Sequence, residues 1–188
     1  MITGIILASG FSRRMKRDKL TMEINDTPMV ERVIMACKAS KLDEIILVYR
    51  TEEVREIGIR NGIKTVYNPK AYLGQSEGMK LGIKAAKDNN ALMFLVGDQP
   101  FINHKLIDKL METHLENEYS IIVPYYNGKQ GMPTIFPFIY KRELMNIDGD
   151  KGGRDIINRE EGNVKRVYLK DEKLGMDIDN MEEFKLIN

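Results

Sequence analysis

The sequence predicts a single α/β domain with three layers, α/β/α, built on a mainly parallel sheet. Two observations carry that prediction. The runs ILVY (46–49) and LMFLV (92–96) are unbroken or nearly unbroken apolar, as strands covered on both faces must be. Between such runs, apolar residues recur at helical spacing, so strand and helix alternate and the connections are right-handed βαβ crossovers.

Taken in order, strand-like runs occupy 2–7, 44–49, 64–67, 91–96, 120–124, 134–136 and 164–169. Met29, Val33, Ile34 and Cys37 share one face of a helical segment starting at Pro28, with Thr27 placed to cap it. Met79, Ile83 and Ala86 repeat in the same way after Gly78, and Ile107, Leu110, Met111 and Leu115 after Asn103. The runs after Ser120 are shorter and less regular, and are read as including an antiparallel edge strand. With 188 residues, no internal repeat and no low-complexity linker, one domain spanning 1–188 is expected.

Composition narrows the function. Apolar residues make up 43% and charged residues 30%, which is ordinary for a globular domain, and the net charge is +1, which gives no electrostatic case for a nucleic-acid partner. Cys37 is the single cysteine, so a disulfide framework within the chain is ruled out and a cysteine zinc site disfavoured. No stretch reaches the roughly 18 apolar residues of a membrane span, and the positive charges follow the first apolar run instead of preceding it. A cytoplasmic protein with no membrane partner is expected.

In sheets of this kind, ligands sit at the carboxyl ends of the strands. Two such ends carry unusual chemistry. After the first run comes Leu7-Ala8-Ser9-Gly10, then five cations between Arg13 and Lys19. A small-residue turn can aim backbone amides at phosphate oxygens, Gly10 permits close approach, and Ser12 can cap a short helix behind it. Arg14 and Lys19 bring full charges; at an effective dielectric of about 20, one cation 4 Å from a phosphate charge interacts by roughly 4 kcal/mol. The competing reading is a solvated basic turn. Neither G-x-x-x-x-G-K-[ST] nor G-x-G-x-x-G is present, so an ordinary P-loop and a standard dinucleotide site are disfavoured.

The second end is Gly97-Asp98-Gln99-Pro100, directly after LMFLV. A lone carboxylate at a strand tip suits a hard cation, since Mg²⁺ takes one or two carboxylates together with phosphate oxygens. Its rival is a helix-start signal. Between the two ends, Asn68, Gln75 and Ser76 offer amides and a hydroxyl suited to a base edge or ribose, and equally to helix capping. His104 and His114 lie ten apart without ligand spacing and are read as surface residues.

LASGFSRRMKRDK (7–19) resembles the L-A-[AG]-G-x-S-x-R-M-G-x-x-K signature of the molybdenum-cofactor nucleotidyltransferases, departing from it at Ser9 and Lys16. The resemblance continues through NPKAYLGQSEGMKLGI (68–83), GDQP, GMPTIF (131–136), GDKGGR (149–154) and DIDNMEEF (177–184), in order over nearly the whole chain. It implies a Rossmann-like fold of the nucleotide-diphospho-sugar transferase type. It further implies that the terminal phosphate of the molybdenum cofactor attacks the α-phosphorus of a nucleoside triphosphate and releases pyrophosphate. On that basis Leu7, Ala8, Ser9, Gly10, Ser12, Arg14, Lys19, Asn68, Gln75, Ser76 and Asp98 are expected to bind nucleotide. Lys19, Arg14 and Asp98 are expected to be catalytic, and Asp98 with Asp177 to hold Mg²⁺ (or Mn²⁺), with Asp179 the competitor of Asp177. Gly131, Pro133, Lys151, Gly152 and Arg154 are expected to meet the acceptor; for 149–154 a plain glycine-opened helix start is the alternative. Ser9 carries a Cβ and so stands closer to the L-A-A-G of the cytidylyl branch than to the L-A-G-G of the guanylyl branch. CTP is therefore the expected donor, with GTP the alternative. A nucleotidyltransferase for another phosphorylated metabolite is a further reading. The alternative from a different class is a non-catalytic carrier that delivers the finished cofactor to a molybdenum hydroxylase.

Overall fold

The computed structural model describes residues 1–11, 18–149 and 152–187. Its strands are β1 (Ile2–Ala8), β2 (Glu23–Ile24), β3 (Thr27–Pro28), β4 (Glu44–Tyr49), β5 (Lys64–Tyr67), β6 (Ala91–Val96), β7 (Ile121–Tyr126), β8 (Lys129–Gln130), β9 (Thr134–Phe136) and β10 (Val164–Leu169). Its helices are α1 (Met29–Lys38), α2 (Glu52–Arg60), α3 (Gln75–Ala85), α4 (His104–Glu116), α5 (Lys141–Leu144), α6 (Arg154–Arg159) and α7 (Met181–Ile187).

The main sheet runs β10-β7-β9-β6-β1-β4-β5, with β8 hairpinned onto β7 and β2-β3 forming a separate ribbon. Pairings β6-β1, β1-β4, β4-β5 and β7-β10 are parallel, whereas β9 is antiparallel to both β6 and β7. The antiparallel strand is therefore interior, not at the edge where the sequence had suggested it. All three residues of β9 are buried, and a three-residue strand covered on both faces has no alternation to betray its place.

Period-two alternation divides the core between the two faces. Ile2, Ile6 and Ala8 of β1, with Met93 and Leu95 of β6, pack against α1, α2 and α4 through Val33, Val54 and Leu110. Ile5 and Leu7, with Leu92 and Phe94, pack against α3, α5 and α6 through Met79, Ile83, Leu144 and Ile156. Three layers result, as expected. At Gly82 a Cβ would lie 2.4 Å from Ile5 Cγ2, so this glycine lets α3 lie directly on β1.

Several local readings change. Pro28, not Thr27, is the residue before α1; the Thr27 hydroxyl donates instead to the Asn25 carbonyl. In α4 the buried position is His114, while Leu115 is 60% exposed. His114 is thus no surface residue; burial lowers its pKa, and its Nδ1 has no partner among the described residues. His104 is exposed. Cys37 is 1% exposed and its thiol is pushed up to about 12 by burial, which makes it unreactive.

Candidate active site

The carboxyl ends of β1 and β6 lie side by side, and the Gly97 N–H donates to the Leu7 carbonyl. That pairing brings the small-residue turn and Asp98 together. Asp98 is not a helix start: α4 begins at His104, where the Asn103 side chain accepts from the Leu106 N–H. Asp98 is half-buried, and its carboxylate lies 2.6 Å from Lys19 Nζ. The same ammonium lies 2.8 Å from Asp179. Lys19 begins a single 3₁₀ turn, Lys19–Thr21, capped by Asp18, whose side chain accepts from the Leu20 N–H. Burial works against the Lys19 ammonium, yet the charges and hydrogen bonds of Asp98 and Asp179 outweigh it and raise its pKa above the ordinary lysine value.

Asp177 and Asp179 come from far along the chain. Ile178 between them is fully buried with Ile24 and Met29, and its N–H donates to the Asp98 carbonyl at 3.1 Å. This single apolar anchor presents both flanking carboxylates to the site. Asp177 opens to water in the cavity but is crowded by protein on its other sides. That desolvation, followed by the charge of Asp98, pushes its pKa up to about 6, against the pull of a Gln99 hydrogen bond. Gln99 itself donates to the Gly175 carbonyl.

Two cavities meet here. The smaller, 380 Å³, is lined by Ser9, Gly10, Phe11, Lys19, Tyr72 and their neighbours. The larger, 910 Å³, is lined by Lys129, Gly131, Gly152, Arg154, Lys173 and Asp177 among others. Leu7, Gln75, Val96 and Asp98 line both. Tyr126 forms part of the larger wall, seated against Gly131 and Gly175, where a Cβ would meet its ring at 2.6 and 2.4 Å; its hydroxyl donates to the Met132 carbonyl.

The structure sorts the expected site residues into groups. Leu7, Ser9, Gly10, Lys19, Gln75 and Asp98 surround the smaller cavity, and Gly131, Gly152, Arg154 and Asp177 the larger. Ala8 is buried in the core, and Pro133 is buried after a cis Met132–Pro133 peptide. Asn68 and Ser76 are each 1% exposed and support the loops from beneath. Asn68 Nδ2 donates to Ser9 Oγ, its Oδ1 accepts from the Lys70 N–H, and the Ser76 N–H donates to the Gly149 carbonyl. Ser12, Arg14 and Lys151 lie outside the described residues. Sequence reasoning missed Lys129 and Lys173 as cavity residues, and it missed Gln99 beside Asp177; the GDQP motif was the one available signal for the last. Tyr125 and Tyr126, after the SIIVP run, read from sequence either as ring-stacking residues or as packing, and Tyr126 lines the larger cavity.

Comparison with known proteins agrees with this architecture. The chain is 28% identical over 183 residues to the bifunctional protein GlmU of Acetivibrio thermocellus, covering 93% of this chain and 37% of that one. It is 29% identical over 129 residues to a probable molybdenum cofactor guanylyltransferase of Natranaerobius thermophilus, covering 68% of this chain and 62% of the other. The chain thus spans less than two thirds of the length of these relatives. Rv0371C of Mycobacterium tuberculosis, solved in complex with manganese, superposes with a TM-score of 0.83 at 20% identity, over 99% of this chain and 97% of that one. The model of the MobA-like NTP transferase domain matches residues 4–164, and the chain belongs to that family.

Proposed function

We propose that this protein transfers a nucleotidyl group from CTP to the terminal phosphate of the molybdenum cofactor. The observation that carries a two-substrate transfer is the position of Asp98, which lines both cavities at their junction. The smaller cavity, with its small-residue turn and Lys19, suits the triphosphate. The larger carries Lys129, Arg154 and Lys173 as well as Asp98, Glu172, Asp177 and Asp179, and suits an acceptor of greater bulk whose phosphate meets the cations.

The residues fit a divalent cation. Asp98 and Asp179 hold one ammonium between them, and the surplus negative charge is what helps lift the neighbouring Asp177. Among the described residues there is no cluster of three or more ligand side chains, but Mg²⁺ needs only one or two carboxylates when phosphate oxygens complete its shell. Asp98 and Asp177 would hold Mg²⁺ or Mn²⁺, which when bound neutralises phosphate charge and assists departure of pyrophosphate.

In this reading Lys19 leaves its carboxylate partners for the triphosphate and offsets the charge that grows on the leaving group. A phosphate oxygen of the acceptor forms the new bond to the α-phosphorus, the bond from that phosphorus to the bridging oxygen breaks, and pyrophosphate carries away the electron pair. An ionised phosphate needs no general base, which accords with the absence of a histidine from the cavity walls among the described residues. Two readings stay beside the CTP assignment. A relative named a guanylyltransferase favours GTP. The GlmU relative favours a different phosphorylated acceptor. A carrier that only delivers cofactor has no use for a lysine set between two carboxylates.

The test is single-turnover transfer with Mg²⁺, molybdenum cofactor and either CTP or GTP, measuring pyrophosphate and cofactor dinucleotide. Product from CTP alone is expected, and Asp98→Ala should abolish it with the fold retained. Product from GTP alone would overturn the donor assignment, and near-normal turnover in the variant would remove Asp98 from the reaction.

A further inference from the structure

We infer that Arg50 is a positioning residue for the nucleotide cavity, holding Phe11 on one side and the Asp18–Lys19 corner on the other. This role rests on the reading that the smaller cavity takes a nucleoside triphosphate. Arg50 directly follows β4, whose last residue, Tyr49, is paired with Ala8 of β1. The sheet therefore delivers Arg50 beside the small-residue turn. Its Cζ lies 4.5 Å from the centroid of the Phe11 ring, within the range of a cation–π contact. Phe11 lines the smaller cavity.

On the other side, an Arg50 terminal nitrogen lies 3.6 Å from Asp18 Oδ2, and the Thr51 hydroxyl donates to that same oxygen at 3.1 Å. The other Asp18 oxygen caps the turn that begins with Lys19. Two neighbouring residues at the end of one strand thus fix the carboxylate that fixes the turn carrying the key ammonium. Arg50 is half-buried, and its Nε is fully buried without a hydrogen-bond partner among the described residues. A guanidinium withdrawn from water this far interacts more strongly with ring and carboxylate than a surface arginine does. Phe11 and Asp18 flank residues 12–17 in the chain, so a single side chain ties together the two ends that bracket the basic segment.

The Phe11 wall binds the nucleotide equally before and during reaction, whereas the Lys19 corner acts on the leaving group. The loss should therefore appear in nucleotide affinity and KM, accompanied by a smaller fall in kcat. CTP would be titrated calorimetrically with Mg²⁺ into the wild type, Arg50→Ala, Arg50→Lys, Phe11→Ala and the Arg50→Ala/Phe11→Ala double variant, with GTP in parallel. Arg50→Ala should weaken binding roughly 3- to 30-fold, and Arg50→Lys, which keeps the charge but not the planar stack, should fall between it and the wild type. The double variant should bind no more than about twofold worse than the weaker single one, because the two residues act as one contact. If Arg50→Ala fails to fold, Arg50→Lys with Phe11→Ala carries the same test. Wild-type binding preserved in Arg50→Ala, or fully additive losses, would overturn the role. A fall in kcat with affinity and KM unchanged would confine Arg50 to the Lys19 corner and overturn its hold on the Phe11 wall. A wild type that binds neither nucleotide would instead overturn the triphosphate reading, and this role with it.

Discussion

Asp177 is a carboxylate at neutral pH, but the folded chain ionises it less readily than the unfolded chain does. Burial, and then the charge of Asp98, raise its pKa from 3.8 to about 6. Between about pH 4 and 6 the native state therefore keeps a proton that the unfolded state has lost, and stability falls as pH rises through that window. Unscreened, the difference corresponds to about 3 kcal/mol at 1.36 kcal/mol per pH unit. Asp177 opens to water in the larger cavity, so screening reduces the expected figure to about 1 kcal/mol. Asp177→Asn keeps the shape and removes the charge. Urea unfolding without divalent metal, at pH 4 and pH 7, isolates this effect from packing. The variant should gain about 1 kcal/mol on the wild type between pH 4 and pH 7. Equal stability differences at the two pH values would refute the reasoning, because they would show that Asp177 titrates alike in the folded and unfolded chain.

Lys19→Ala should cost roughly 2–4 kcal/mol of transition-state stabilisation, about 30- to 1,000-fold in single-turnover rate; a loss under threefold would make Lys19 a mere structural counter-ion to Asp98 and Asp179. Ser9→Gly removes a buried hydroxyl that accepts from Asn68 and should lower unfolding stability by about 0.5–1.5 kcal/mol. Because that hydroxyl is bonded inward to Asn68, the CTP/GTP preference should stay within about threefold of wild type, and a larger change would assign base choice to Ser9. Gly82→Ala drives a Cβ to 2.4 Å from Ile5 Cγ2 and should destabilise by about 1–3 kcal/mol in denaturant unfolding.

β1, β4, β6 and β7 were legible because burial of both faces leaves an apolar run, as in 92–96, whereas the two-residue strands β2, β3 and β8 left no pattern to read. α2 was not, since over Glu52–Arg60 only Val54, Ile57 and Gly58 are buried and the rest reads as a polar stretch. His114 and Leu115 exchanged roles because a one-residue turn of a helix, about 100°, places a neighbour on the core face. Within the site, the turn at Ser9–Gly10 and the carboxylate at Asp98 could be found from their places after strands. Their meeting with Asp177 and Asp179 could not be read from spacing, since 160 positions separate Lys19 from Asp179 and tertiary packing around Ile178 closes that distance. Arg50 gave no signal at all, because a cation after a strand is ordinary until its ring and carboxylate partners are seen.

The reversed direction of β9 has a consequence for how such a protein can change. A parallel strand offers its end to the ligand edge, and lengthening the loop there disturbs the helix that follows. β9 offers its beginning: the turn 131–133 reaches that edge before the strand starts, while Phe136 at the far end stays in register with Leu92 of β6. The turn between β7 and β8 and the turn before β9 can therefore be resized with little effect on the far half of the sheet, β6-β1-β4-β5. On the proposed assignment of the two cavities, descent with new acceptors needs alterations in two turns, while the residues that meet the triphosphate pass on unaltered.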